Sequence, residues 1–443
     1  MRNAIKVFGY GMFGATLLMP SAYAMDLSLA AAVEKIVAES QDVKKADANV
    51  KKATAQLDAA NSHRWFQIDG SVTYMNMINV ENPSKSNGIT LPSGMGALIS
   101  DSLRDQDVFL EIPDNIFMAG LQVTQPIYTF GKIGNAVKSV RSAIKISENS
   151  RELTLREVRY SAANLYWTAK MTDDIVRLAR ENLDAARKAQ KSLTAAGRAN
   201  RINLVKIESD IAAKEINLSD AEFNRDTAYR MLKILAGIDM DEQITLTDNF
   251  PTRFGEIDAG ELTQNPEWEI LNEQINMYEA KAKSSRANYL PTLAATASYN
   301  FVSMGNEVDT MFDKKGSQSA YWGLALQVPL FSGGLHRANA TADAMDAEVA
   351  RQELDKSKKL KTEEYDTAVA KYNHLRGNLA SLENARNLAA KAYGFSQERF
   401  AAGQTSAIEL AEASAGLYQL DMALLNAKYN ILMSVESIKK LGE

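Results

Sequence analysis

The sequence repeats itself once, and this duplication is the feature that most limits how the chain can fold. Four pairs of segments match in the same order, starting at residues 39 and 264, 65 and 290, 125 and 328, and 193 and 400. Each half therefore predicts the same series: a helix, a strand, a loop, a strand, a long helix, a turn and a helix. The first repeat spans residues 25–240, a linker or equatorial segment spans 241–260, and the second repeat spans 261–443.

Each repeat contains an Ala-Ala-Gly sequence that predicts the turn of a helical hairpin. The glycines are Gly197 and Gly403, and a new amphipathic stretch begins four residues after each. Glycine adopts the left-handed conformation that ends a helix at no steric cost. Two helices joined by such a short connection form a hairpin. We therefore expect hairpin tips at residues 197–203 and 403–409.

Before each tip, the hydrophobic pattern predicts a long helix. From Leu155 to Leu193, positions three and four residues apart are mostly apolar over more than five heptads, which indicates a coiled-coil seam. A helix over residues 132–196 would be roughly 100 Å long at 1.5 Å per residue. The same element recurs over about residues 335–402. Helices of this length predict a rod.

Four segments alternate with the period of a β-strand, at about residues 65–79, 115–128, 290–303 and 319–331. One face of each is apolar, and the other carries Ser, Thr, Asn, Gln and Gly, which fits a transmembrane barrel with a wet lumen. A soluble β-sandwich also alternates and is the other interpretation. Aromatic residues at the helix-proximal ends of all four strands favour the barrel, because they predict an interfacial girdle. They are Trp65, Tyr128, Tyr289 and Phe331.

Four strands cannot close a membrane barrel, because the smallest have eight. Open strand edges are not tolerated in lipid, so the chain must assemble with further copies of itself. Two copies would give eight strands and a filled interior, whereas three would give twelve and room for water.

Several other classes of protein are disfavoured. The first 24 residues, with Arg2, Lys6, an apolar stretch and a small-residue end, predict a signal peptide, and the GYGMFG sequence inside it is a chance match to a nucleotide-binding motif. The chain has no cysteine and a formal net charge of −5, which argues against disulfides and nucleic-acid partners. We expect no catalytic residues, no cofactor and no metal site, and the three histidines lack metal-ligand spacing. They are His63, His336 and His374.

The arrangement resembles the TolC family of outer-membrane efflux and secretion channels over nearly the whole mature chain. The matching motifs are QVPLFSGG from residue 327, NPEW from 265, YLPTL from 289, AAGQTSAIELAEA from 401 and LYQLDMALLNAKYN from 417. The resemblance implies a mainly α-helical homotrimer that forms a 12-stranded transmembrane β-barrel and a periplasmic α-helical tunnel. It also implies the Gram-negative outer membrane, a periplasmic adaptor, an inner-membrane transporter, and passive export of small molecules or polypeptides, including type I secretion. Phe66 stands where the second repeat has Pro291, and Asn203 stands where family members can carry an acid.

The resemblance also places a gate at the hairpin tips. Glu409 and Glu412 are three residues apart and share a helix face. They occupy positions where the family places acids facing the pore at its narrowest point, so a trimer would carry two rings of carboxylates that favour cations. A different interpretation is that Ser406 and Glu409 form a capping box and that Glu412 is part of a solvated face.

Polar residues at both tips are candidates for contacts that hold the gate closed between neighbouring copies. They are Arg198, Arg201, Asn203 and Thr405. Solvated charge is the alternative for them. For the protein as a whole, the alternatives to a channel are a periplasmic adaptor and a structural coiled-coil stalk. An adaptor would need one hairpin between lipoyl-like halves, whereas this sequence predicts two hairpins and four barrel-like strands.

Overall fold

A computed structural model describes residues 25–76, 115–195, 201–258, 260–305, 307–308 and 316–442. The predicted signal peptide lies outside the described residues, as do the long first outer loop from about residue 81 to 114, Gly197 and Arg198.

The described chain is mainly α-helical. Its helices are α1 Leu29–Glu39, α2 Gln41–Ser62, α3 Lys132–Ala195, α4 Arg201–Ala236, α5 Pro266–Arg286, α6 Leu335–Ala401 and α7 Ala407–Gly442. Helix α3 has 64 residues and α6 has 67, as expected for the two rods. Among the described helices, none is long and apolar enough to cross a membrane.

The strands form two separate sheets. They are β1 Met25–Leu27, β2 Gln67–Asn76, β3 Asn115–Tyr128, β4 Ile244–Leu246, β5 Thr292–Gly305 and β6 Ser317–Gln327. β1 and β4 form a small parallel pair that the sequence did not predict. The other four strands form one antiparallel sheet in the order β2-β3-β5-β6, so the two repeats meet where β3 pairs with β5.

Two strand boundaries differ from the prediction because of proline. The strand predicted over 319–331 ends at Gln327, two residues before Pro329, and the one predicted over 290–303 begins at Thr292, directly after Pro291. Proline has no N–H to donate to a sheet and confines itself to strand ends and edges. The first strand, predicted from residue 65, begins at Gln67.

The chain divides into two compact units that do not coincide with the sequence repeats. One unit contains the described parts of residues 1–49, 149–269 and 355–443, and the other contains the described parts of residues 50–148 and 270–354. Each repeat contributes to both units, because its long helix runs through both and all of its large strands lie in the second. The boundaries predicted at 240 and 261 therefore separate repeats and not compact units.

The core of the first unit includes the predicted seam of α3. Of its twelve positions, nine are buried and three are partly buried. The buried positions are Leu155, Ala162, Ala169, Thr172, Val176, Ala179, Leu183, Ala186 and Leu193. Alanine at so many of these positions lets neighbouring helices approach closely, and the coiled-coil interpretation of this stretch is confirmed.

The linker between the repeats is anchored to the same unit by a buried tyrosine. The Tyr166 hydroxyl donates to an Asp248 carboxylate oxygen at 2.8 Å, and the same oxygen accepts from the backbone N–H of Leu29 at 2.7 Å. The Trp167 ring lies 5.2 Å from the ring of Phe250, centroid to centroid. One aspartate therefore ties the linker both to α3 and to the first turn of α1.

Candidate functional site

The register of the four-stranded sheet collects the predicted apolar residues on one face. Across the strands, Ile68 lies opposite Val123, Val123 opposite Ala297, and Ala297 opposite Trp322. Residues two apart on a strand share a face, so this row fixes the face for every strand. The large side chains on it are Ile68, Val72, Tyr74, Phe117, Leu121, Val123, Leu293, Tyr299, Phe301, Trp322, Leu324 and Leu326.

The opposite face carries the small and polar residues. Asp69 lies opposite Gln122, Gln122 opposite Ser298, and Ser298 opposite Tyr321. Gly120 lies two residues from Gln122 on the same face of β3. A Cβ on Gly120 would lie 2.9 Å from Asn300 Oδ1. The polar side chain of the neighbouring strand lies over this glycine, so a larger residue at position 120 requires the Asn300 side chain to move.

Among the described residues, nothing covers the apolar face or pairs with either edge of this sheet. Trp322 is 84% exposed, and Val72 and Leu324 are also exposed. β2 and β6 each pair with a single strand among the described residues. An exposed apolar surface of this kind is typical of an interaction with lipid or with another protein.

The four predicted girdle aromatics are all exposed. Trp65 precedes β2, Tyr128 is the last residue of β3, and Tyr289 ends a short 3-10 turn before β5. Phe331 lies four residues beyond the end of β6, where it is 92% exposed. The Tyr289 ring meets the His336 ring edge-on at 5.7 Å between centroids, which gives His336 a packing role.

The tip of the second hairpin, in the compact unit that contains residues 355–443, is described by the structure. Gly403 has φ 78°, in the left-handed region. Its N–H donates to the carbonyl of Phe400 at 3.0 Å, and the N–H of Gln404 donates to the carbonyl of Arg399 at 2.8 Å. This pair of bonds is the Schellman arrangement that satisfies the last carbonyls of a helix. The role predicted for Gly403 as a helix-ending turn agrees with this geometry.

The two candidate gate acids lie at the start of α7 and are exposed. The Ser406 hydroxyl oxygen accepts from the Glu409 N–H at 3.2 Å, and the Thr405 hydroxyl donates to the Glu409 carboxylate. The first of these bonds is one half of the expected capping box, and the Glu409 carboxylate accepts from Thr405 and not from the Ser406 N–H that the other half would use. Glu412 makes no ion pair with any part of the chain that the structure describes.

At the first tip, Arg201 is the exposed first residue of α4, and Asn203 is half-buried. Arg201 forms no ion pair with a carboxylate among the described residues. Its predicted contact was with a neighbouring copy, so that contact stays a prediction. Of the predicted tip residues that the structure describes, Thr405 contacts Glu409, and neither Arg201 nor Asn203 forms a polar contact with the second tip.

The tips are held together instead by apolar packing that the sequence analysis missed. The buried residues come from four helices and are Leu193, Ile207, Phe400, Ala407 and Leu410. Above them, the Ser414 hydroxyl donates to Asn182 Oδ1 at 2.8 Å. Burial raises the pKa of Tyr393, which packs against the same cluster. A seam position such as Leu193 was visible in the sequence, but its partner on another helix was not.

Helix α3 also carries a partly buried polar pair with α4. The Tyr229 hydroxyl donates to the carboxylate of Asp173. Burial is the main cause that raises the pKa of both groups. No cluster of metal-ligating side chains occurs in the described ranges. His63 is exposed, and His374 contacts Asn378 of its own helix at 3.2 Å.

The NPEW motif, noted in the sequence, lies where α5 begins, and its Asn265 forms the joint between α5 and α7. Asn265 Oδ1 accepts from the Glu267 N–H at 2.9 Å, while Asn265 Nδ2 donates to the carbonyl of Leu441 at 3.2 Å. Asparagine followed by proline is typical of a helix start, with the proline in the first turn. The NPEW motif therefore joins the end of α7 to the beginning of α5.

Comparison with known proteins shows a consistent family likeness. A family model described as outer membrane efflux protein matches residues 32–237 and 262–442. The alkaline protease secretion protein AprF of Pseudomonas aeruginosa is 23% identical over 336 residues, which are 71% of this chain and 67% of that protein. The outer membrane protein TolC of Escherichia coli is 20% identical over 367 residues, 78% of this chain and 73% of that protein.

Solved structures show the same fold. The crystal structure of the Campylobacter jejuni CmeC outer membrane channel superposes with a TM-score of 0.76 at 19% identity, covering 93% of this chain and 85% of that one. This likeness confirms the predicted fold class, a mainly helical protein in which both repeats contribute strands to one sheet.

Proposed function

Because the chain belongs to the outer membrane efflux protein family, we propose that three copies form a channel that exports molecules across the Gram-negative outer membrane. The channel performs no chemistry of its own. An inner-membrane transporter and a periplasmic adaptor deliver the cargo, and the channel gives it a passive path to the outside.

The observation that carries this proposal is the register of the four-stranded sheet. It places the apolar side chains on one face and the small polar ones on the other, as in a barrel wall between lipid and water. In the part of the chain that the structure describes, no strand pairs with the outer edge of β2 or of β6. Edges are not stable in lipid, so β6 of one copy pairs with β2 of the next until the barrel closes. Three copies supply twelve strands and leave room for water inside.

Two kinds of cargo fit this channel. The relative AprF is named for secretion of an alkaline protease, which makes a polypeptide one candidate. The family description names efflux, which makes a small molecule the other. The genes for the cognate transporter and adaptor would distinguish the two, because each transporter class handles one kind of cargo.

We also propose that Glu409 and Glu412 line the narrowest part of the pore at the hairpin tips. Both side chains are exposed within the chain, and they lie three residues apart on one helix. In a trimer they form two rings of three carboxylates each, which attract cations and repel anions. The contact between Thr405 and Glu409 is compatible with this role, since it leaves the second carboxylate oxygen available. Arg201 and Asn203 are proposed to contact the tip of a neighbouring copy.

The decisive experiment is to purify the full chain from the outer membrane and test assembly and conductance together. We expect a detergent-stable trimer that dissociates on heating and conducts ions in a planar bilayer. Deleting the gene should abolish export of the cargo in cells, and restoring it should recover export only when the adaptor and transporter are present. A soluble rod that never conducts would contradict the proposal and favour the stalk.

A further inference from the structure

The four joints between the strands of the large sheet and their neighbouring helices all carry positive charge. With histidine taken as neutral, every charged residue among the six on the helix side of each predicted girdle aromatic is Lys or Arg. Five such residues occur there: Arg64, Lys132, Lys283, Arg286 and Arg337. The chain as a whole has 50 Lys and Arg against 55 Asp and Glu, so its overall composition does not explain four joints without an acid.

These joints lie side by side at one end of the sheet and in one compact unit. The side chain of Gln125 on β3 donates to the carbonyl of Arg64 at 2.9 Å. The Ser284 hydroxyl on α5 donates to the carbonyl of Lys132 at 2.9 Å. The third joint meets the fourth through the edge-on contact of Tyr289 with the histidine ring of α6. Contacts between neighbouring joints therefore make the five cations one continuous surface, the basic band.

The charges of the basic band are available to a partner. All five side chains are exposed, and none forms an ion pair with a carboxylate in the described ranges. The nearby Lys281 differs, because its ammonium lies 2.9 Å from the carboxylate of Asp343. That carboxylate also accepts from the Ser285 hydroxyl. The first acid of α6 is therefore already paired within the chain and does not neutralise the band.

The helix dipole explains only part of this pattern. Lys283 and Arg286 lie in the last turn of α5, where a cation is favourable. Lys132 is the first residue of α3 and Arg337 is the third of α6, where the same dipole makes a cation unfavourable. The feature that all five share is their position beside the predicted girdle, which points to the membrane interface as the reason for the charge.

We propose that the basic band binds the phosphate groups of anionic phospholipids in the membrane leaflet on the helix side of the sheet. Aromatic girdles lie at the level of the lipid headgroups, and the band adjoins the girdle at every joint. Lys and Arg extend long apolar stems toward such headgroups, and clusters of them beside a membrane segment recognise anionic lipid. This binding presupposes the proposed outer-membrane channel and adds to it the class of lipid that fixes the depth of the sheet.

Tryptophan fluorescence can measure this lipid preference, because Trp65 is exposed directly beside Arg64. In the Trp322→Phe protein, used here as the parent, Trp65 is the single exposed tryptophan, since Trp167 and Trp268 are buried. The full-length parent is reconstituted in vesicles of phosphatidylcholine and phosphatidylglycerol, with brominated acyl chains on one lipid at a time. Bromine quenches tryptophan at short range, so the two labellings give the relative affinity of the lipids. We expect about a fivefold preference for phosphatidylglycerol, the effect of one basic residue near an anionic surface, and high salt should weaken it.

Two sets of substitutions separate the band from the total charge of the protein. The band variant neutralises one cation at each joint: Arg64→Gln, Lys132→Gln, Arg286→Gln and Arg337→Gln. The control neutralises four exposed cations of the other compact unit: Lys188→Gln, Arg230→Gln, Arg253→Gln and Lys359→Gln. We expect the band variant to lose the preference and the control, with the same net charge, to keep it. A third protein with lysine at positions 64, 286 and 337 should also keep it, because the charge is retained.

The outcomes distinguish the lipid site from the channel. Trimers that conduct but show no preference for phosphatidylglycerol, or a band variant that keeps the preference, would overturn the lipid site and leave the channel intact. Loss of the preference in the control as well would show that total charge decides it, which also overturns the site. A band variant that keeps its lipid preference but no longer exports would assign the band to an acidic protein instead. Protein that never inserts into vesicles would overturn the proposed function too.

Discussion

The Ser414 hydroxyl of α7 donates a 2.8 Å hydrogen bond to Oδ1 of Asn182 on α3, and this bond joins the second helical hairpin to the first. The bond lies one helical turn above the buried cluster that contains Leu410. It is a specific link between two elements that are 232 residues apart in the sequence.

We predict that Ser414→Ala lowers the free energy of unfolding by about 1 kcal/mol, the usual net contribution of such a bond. Thermal or denaturant unfolding of the purified protein measures this. Ser192→Ala is the control, because the Ser192 hydroxyl bonds only to the carbonyl of Lys188 in its own helix. Equal stabilities of the two variants would show that the link between the hairpins contributes nothing.

A second prediction tests the two faces of the sheet. Leu324→Arg places a charge on the apolar face, and Ala325→Arg places the same charge on the polar face of the same strand. An arginine facing lipid costs about 2–4 kcal/mol at the membrane midplane, whereas one facing a wet lumen is tolerated. We expect much less heat-modifiable trimer in outer membranes for Leu324→Arg than for Ala325→Arg. The reverse order would mean that the apolar face is not the lipid face.

Sequence periodicity predicted the elements of this fold well because each depends on neighbours along the chain. The seam from Leu155 to Leu193 follows from spacing alone, and the helix stop at Gly403 follows from the conformational freedom of glycine. Two strand ends were placed too far out where Pro329 and Pro291 interrupt the pairing, and the first strand begins two residues later than predicted, at Gln67. Periodicity also assigned the correct residues to each face of the sheet.

Contacts between distant segments were beyond the reach of such patterns. Asp248 lies 82 residues from Tyr166 and 219 from Leu29. The spacing of these residues does not predict that one carboxylate accepts hydrogen bonds from both. The pairing of β1 with β4 involves three residues on each strand, too few for a periodic signal. The candidate gate rests on resemblance for the same reason, since the proposed pore would exist only between copies.

A third prediction concerns the anchor formed by Tyr166 and Asp248. The Tyr166 side chain is fully buried, and its hydroxyl oxygen lies 3.1 Å from the carbonyl oxygen of Leu27 and accepts from the Asp248 N–H at 3.1 Å. Tyr166→Phe removes the hydroxyl that bonds both the carboxylate and the N–H of Asp248, and it should lower the free energy of unfolding by about 1–3 kcal/mol. Asp248→Ala should have a similar effect. Because both changes break one network, the double variant should lose less than the sum, and full additivity would contradict a shared network.

The same tyrosine predicts a pH dependence at alkaline pH. Burial raises the pKa of Tyr166 from 10.0 to about 12 in the folded protein. The folded state therefore keeps its proton when the unfolded state has lost it, so this contribution to stability is complete below pH 10 and disappears as the pH rises toward 12. The free energy of unfolding, measured across this pH interval, should fall less steeply with rising pH for Tyr166→Phe than for the parent chain. Parallel curves would show that Tyr166 does not titrate in this way.

A fourth prediction addresses the joint at Asn265. Asn265→Ala removes both the cap on α5 and the bond to the carbonyl of Leu441, whereas Asn265→Ser keeps a side-chain oxygen that can cap α5 and lacks the amide that donates to Leu441. Loss of a cap costs about 0.5–2 kcal/mol, so the alanine variant should unfold at a clearly lower temperature than the serine variant. A serine variant as unstable as the alanine variant would mean that the bond to α7, and not the cap, stabilises the joint.

The last prediction separates the two roles of the acids at the tip. The cap uses the backbone N–H of Glu409, which a side-chain change leaves in place, and an amide can still accept from Thr405. Glu409→Gln, Glu412→Gln should therefore keep trimers and their stability while removing six carboxylates from the pore. Because divalent and trivalent cations bind such rings, we expect the double variant to lose block by these cations in planar bilayers, and each single variant to lose it in part. Glu398→Gln, which neutralises an exposed acid on α6 near the same tip, should keep the block. Undiminished block in the double variant would place the constriction elsewhere and leave Glu409 with its capping role alone.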